Sequence, residues 1–129
     1  MAFFRCIQEV INRGFVVEIT DEATIKKARA ILSRRITEST SIRGVIVKTP
    51  KPYNRPWSWH LDPASIEFFG QAMEVCEASI VQVEKHLDEV GGAFLPHNNW
   101  CPWRSSLVEE VVFDSGAGMV GLPIEYADS

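Results

Sequence analysis

Long apolar runs are missing from this sequence of 129 residues: no stretch of 18 or more apolar residues occurs, which excludes a transmembrane helix. The opening MAFFRCIQEV breaks its apolar stretch with Arg5 and Glu9 and lacks a small-residue cleavage site, so it reads as a poor export signal. Cysteine is scarce as well, with three residues, an odd number; without an export signal they are expected to be reduced and the chain cytoplasmic. Positive charge is in deficit, 13 Lys and Arg against 17 acids, and the net charge of −4 with a pI near 5.4 argues against a general nucleic-acid binder. Catalytic templates are lacking: there is no Walker loop, no G-x-S-x-G and no H-E-x-x-H. GAGMVG (116–121) matches G-x-G-x-x-G in order but leaves no room for the helix that must follow. His97 and Cys101 lack a second pair of ligands and no C-x-x-C exists, so neither a metal nor a cofactor is expected.

What is present is ordinary globular material. Hydrophobic residues make up 46% and charged residues 23%, enough for one domain that folds without a metal or disulfide. FVVEIT (15–20) reads as a strand. Thr20 or Asp21 then caps a helix running to about Arg35, with Ile25, Ala28, Ile31 and Leu32 on one face. SIRGVIVKT (41–49) is the clearest strand, apolar on both sides and therefore central in a sheet. Three prolines in PKPYNRP (50–56) make a stiff loop, and WSWHL (57–61) alternates as a third strand. Asp62 and Pro63 signal a helix start, and Met73, Cys76, Ile80, Val83, Leu87 and Val90 step at helical spacing toward Gly91 and Gly92, which predicts one long helix. LVEEVVFD (107–114) closes the list of strands. The fold expected is α+β: a mostly antiparallel sheet of about four strands, with one long and one shorter helix packed on one face. Residues 1–14 read as an N-terminal extension, 15–114 as the domain, and 115–129 as a Gly-rich tail that is extended or partly disordered.

Charge is unevenly spread. Residues 1–55 hold 11 Lys and Arg against five acids, and residues 56–129 hold two against 12. The two halves neutralise each other by packing, or a basic face meets an acidic partner. Within that basic part, TIKKARAILSRRI (24–36) places Lys26, Lys27, Arg29, Arg34 and Arg35 on a helix with apolar anchors, a loose match to a calmodulin target. All four tryptophans, Trp57, Trp59, Trp100 and Trp103, sit in two short segments, WSW and WCPW. They build either a satellite core or an aromatic recognition surface rimmed by Tyr53 and the proline loop, open to a protein or to a small apolar or aromatic ligand. His60 lies two residues from Asp62, and His97 four from Cys101. Should the two Trp segments meet, His60, Asp62 and His97 would supply an acid–base site in an aromatic pocket. Cys76 falls on the apolar helical stripe and is assigned to the core, and Phe3–Ile11 is apolar enough to cover a neighbouring copy.

The runs PYNRPWSWHLDPASIEFF, MEVCEASIVQVEKHLDEVGGAFLP and NWCPW, with ARAIL (28–32) upstream, resemble the N-terminal domain of the calmodulin-binding-protein-like family of bacteria and protists. The resemblance spans about residues 15–110 and implies an α+β binding domain without catalytic residues to carry over. Cys76 and Cys101 both fall inside it, which leaves a disulfide between them open. The function expected is a non-catalytic binding module that uses the Trp/Pro-rich loop surface and the basic helix. A small acid–base enzyme, of isomerase or cyclase type, and a peptidase inhibitor presenting PKPYNRP are the alternatives.

Overall fold

The computed structural model describes residues 1–8, 11–33, 41–69, 76–102, 105–114 and 118–121. It is built mainly of strands. β1 (Ala2–Gln8) and β2 (Arg13–Ile19) form a hairpin, followed by α1 (Glu22–Leu32) and β3 (Ser41–Val47). β4 (His60–Leu61), β5 (Glu67–Phe69) and β6 (Glu77–Ala78) are short, and α2 (Ile80–Lys85) has six residues. β7 (Val90–Gly91), β8 (Phe94–Pro96), β9 (Asn99–Pro102), β10 (Ser105–Asp114) and β11 (Gly118–Gly121) complete the order.

One antiparallel sheet runs β11-β10-β1-β2, and a second runs β4-β3-β9-β6 with β5 beside β4 on the same edge of β3. β7 and β8 form a two-stranded parallel pair. β1 lies between β10 and β2, so the segment set apart above as an extension is paired on both edges. Its alternation explains the placement: Ala2, Phe4, Cys6 and Gln8 are buried while Phe3, Arg5 and Ile7 take the other face. Phe4, Phe15, Val17 and Ile19 of the first sheet join Ile46, Leu61, Phe68 and Trp100 of the second in one core. The helices contribute Ile25 and Ala28, and Ile80 and Val83.

The expected single sheet with a long helix on one face is overturned: the described residues form three sheets and two short α-helices. The helical stripe from Met73 to Val90 is real in spacing but is cut by tertiary bonds. Glu77 and Ala78 pair in parallel with Cys101 and Pro102. Ser79 then opens α2 with a capping box, accepting from Gln82 N while Gln82 Oε1 accepts from Ser79 N. Asp62 and Pro63 start a turn rather than a helix, with Asp62 Oδ1 accepting from Ala64 N and Asp62 O from Ser65 Oγ. Residues 57–59 are not strand, and only His60 and Leu61 pair with β3. The shorter helix does start at Asp21, whose carboxylate accepts from Thr24 N at 3.0 Å and from Thr24 Oγ1 at 2.7 Å. Those bonds hold the Asp21 carboxyl below its ordinary range.

The thiols also differ from expectation. Cys76 and Cys101 form a disulfide, so the reading of all three cysteines as reduced is corrected. Cys6 is free and buried, and burial pushes its thiol up to about 12, which leaves it protonated and inert. No helix among the described residues is long and apolar enough to cross a membrane.

Candidate functional site

The loop over 48–58 is built around Asn54. Its prolines remove N–H donors, so the segment cannot pair as a strand and must be held by other means. Asn54, 1% exposed, does this at both ends of its amide: Oδ1 accepts from Val16 N and Nδ2 donates to Trp59 O, each at 2.8 Å. Trp57 Nε1 donates to Gly14 O at 2.8 Å, and Thr20 N to Pro63 O. These bonds satisfy free backbone groups along the outer edge of β2, so the proline loop covers an edge that would otherwise be open to another strand. Ser58 completes the anchoring, donating N–H and O–H to the Glu84 carboxylate on α2.

The two Trp segments do meet. Trp59 and Trp100 pack edge-to-face with centroids 4.9 Å apart, and Phe15 lies 5.1 Å from Trp100. Trp57 stacks on Trp59 at 6.2 Å. Trp59 and Trp100 are fully buried and pack against each other and Phe15, so the described rings form a plug in the core. Trp100 Nε1 donates to Ala78 O, whereas Trp59 Nε1 is buried without a partner. Trp103 lies outside the described residues.

The imidazoles sit in different settings. His60 is buried, with Nδ1 donating to Thr49 O at 2.7 Å and its ring against Tyr53. Asp62 makes no bond to it. His97 is exposed, on a turn with φ of 60°. The steadied carboxylate–imidazole pair that general-base chemistry requires is therefore not assembled from His60, Asp62 and His97. Tyr53 is buried against Phe3, and its phenol is pushed up to about 12 by burial, then by the charges of Glu18 and Asp62. Among the described residues no three His, Cys, Asp or Glu gather as metal ligands.

The basic helix is largely engaged within the fold. Arg29 pairs bidentately with Glu110 at 3.0 Å, and Lys27 Nζ donates to Phe68 O. Ile25 and Ala28 face the core, so the helix cannot enter a partner's groove without undocking. Lys26 is exposed; Arg34 and Arg35 lie outside the described residues. Further exposed cations lie on the proline loop and beside it. Lys48, Lys51 and Arg55 stand exposed on the proline loop, and exposed Arg13 sits 6.0 Å over the Trp57 ring. None of the four pairs with an acid among the described residues. Sequence reasoning missed this cluster because the helix drew attention to density of charge; exposure and spare valence were the relevant signals. The organising role of Asn54 left no mark beyond its place between two prolines.

A family model described as the BP-74 N-terminal domain matches residues 1–114. No curated protein and no solved structure matches the chain.

Proposed function

We propose, from the premise that this chain belongs to the BP-74 N-terminal domain family, that it is a non-catalytic binding module whose working surface is the cationic proline loop and whose partner is an acidic protein. The observation that carries the reading is the set of four exposed cations, Arg13, Lys48, Lys51 and Arg55, on or against one loop and without acidic partners among the described residues. A chain of net charge −4 that leaves such a cluster without ion-pair partners among its described residues has a local field able to orient an acidic surface. The loop is also pre-ordered, so little conformational entropy is lost on docking. The Trp plug serves as the support behind it, through the bonds of Asn54 and Trp57.

Tryptophan fluorescence tests the reading, because Arg13 sits over Trp57. Polyglutamate and calcium-loaded calmodulin, an acidic protein of the kind the family resemblance implies, are titrated into the chain at two ionic strengths. Binding that weakens about tenfold in the triple variant Lys48→Glu, Lys51→Glu, Arg55→Glu, and that falls as salt rises, is the expected outcome. No fluorescence change with either ligand at micromolar protein would remove the proposal. Equal loss from Lys26→Glu would return the surface to the helix.

A further inference from the structure

A second surface stands apart from the proline loop, where α2 meets the β7–β8 pair. It is an open groove of about 540 Å³ lined by Gln82, His86, Glu89, Ala93 and Phe94. That volume lies in the range of small-molecule sites. Gln82 is tied to the backbone at one end of its amide, and the half-exposed His86 and Glu89 side chains are tied to each other. Gln82 Oε1 accepts from Ser79 N at 2.8 Å, which leaves the Nε2 amide. His86 Nδ1 contacts Glu89 Oε2 at 2.7 Å, which leaves His86 Nε2 and Glu89 Oε1. In the neutral imidazole with Nδ1 donating to the carboxylate, His86 Nε2 is an acceptor. The groove thus presents one donor and two acceptors in restrained positions, beside the Phe94 ring that meets His86 edge-on at 6.1 Å.

The wall that carries Phe94 is held firmly. Leu95, His97 and Asn98 all have left-handed backbones, with φ of 49°, 60° and 63°. Asn98 Nδ2 donates to Ile46 O, and Ile46 N donates to Asn98 O, which fastens the turn to β3. Gly91, at φ 96°, leaves the space that Asn98 Oδ1 occupies. Three non-glycine residues in this region within four positions store strain that the surroundings must hold, a feature that concentrates at binding sites.

We propose that this groove is a saccharide-binding site that seats one pyranose ring. A sugar presents adjacent hydroxyls that both donate and accept, so it answers a donor and two acceptors together, and its C–H face suits the Phe94 ring. An organic ammonium would satisfy the two acceptors and the ring but would leave the Gln82 amide facing a second donor. The site is independent of the acidic-partner reading, since it shares no residue with the cationic loop.

Saturation-transfer NMR of the full chain with methyl glucoside, galactoside, mannoside and N-acetylglucosaminide tests it. At least one sugar should show transfer, and amide shifts on titration should fall on residues 82–94. Phe94→Ala should weaken binding about tenfold or more. Because Phe94 also packs on the core, Ala93→Arg, at an exposed position, provides a variant that blocks the groove without touching the core. It should abolish transfer while the triple charge reversal on the proline loop leaves transfer intact. No transfer from any of the four sugars at about 20 mM, retained transfer in Ala93→Arg, or tighter binding of butylammonium than of any sugar would each overturn the proposal.

Discussion

The 48–59 segment and the 90–102 segment deliver tryptophans to the same plug by different physical means. The first brings Trp57 and Trp59, and it is fastened by polar bonds: the buried Asn54 amide, the Trp57 indole and the Ser58–Glu84 contact. The second brings Trp100, and it is fastened through the backbone and a covalent link: a left-handed turn, pairing of β9 with both β3 and β6, and the Cys76–Cys101 bridge. A segment whose prolines forbid ladder bonds depends on a side chain that can both donate and accept. A segment that can pair needs only its ends held. The difference also divides the surfaces, since the first leaves cations facing outward and the second frames a groove.

Three variants would break this contrast, in falling order of effect. Removal of the bridge by Cys76→Ser with Cys101→Ser frees a loop of 25 residues in sequence and should cost about 3.5 kcal/mol by the chain-entropy relation. Urea denaturation of the double variant, against the oxidised parent, measures it; a loss under about 1 kcal/mol would show that β6–β9 pairing suffices alone. Asn54→Ala leaves Val16 N–H and Trp59 C=O buried without partners and should cost about 3 kcal/mol. Chemical denaturation monitored by Trp emission checks this, and an unchanged midpoint would mean that the loop is held by its prolines. Gly91→Ala forces a side chain into a left-handed position against Asn98 and should cost about 2 kcal/mol. Thermal unfolding reports it; an effect below that of an exposed Ala93 substitution would refute the packing argument.

The disulfide bears on where the chain works. Such bonds persist in oxidising environments and are rare in the cytosol. The expectation of a cytoplasmic protein drew on the poor export signal, and the Cys76–Cys101 bridge overturns the reduced thiols expected beside it.

The longer strands after residue 14 and the start of α1 are readable from the residues. FVVEIT, SIRGVIV and LVEEVVF carry β-branched runs, and Asp21 followed by the Ile25, Ala28 and Leu32 pattern marks a helix start. The region from Asp62 to Val90 misleads because its helical spacing survives although its described residues form short strands and the six-residue α2. The S-x-x-Q capping box at Ser79 is a visible signal that the helix begins there and not at Asp62. The site is readable only in that the two Trp segments would meet. That they would fill space instead of enclosing it depends on ring orientation, which no linear pattern encodes.

By itself the sequence determined the strands β2, β3 and β10, where α1 starts, and that charge is lopsided, because these follow from side-chain chemistry and local spacing. Tertiary structure alone decided which cations remain unpaired, that Cys76 meets Cys101, and that Asn54 joins β2 to the tryptophan loop. Each of those depends on partners distant along the chain: Arg29 is taken by Glu110, 81 positions away, while Lys48, Lys51 and Arg55 are left to solvent. Local propensity cannot register such pairing, because its free energy exists only once the core has brought the partners within a few ångströms.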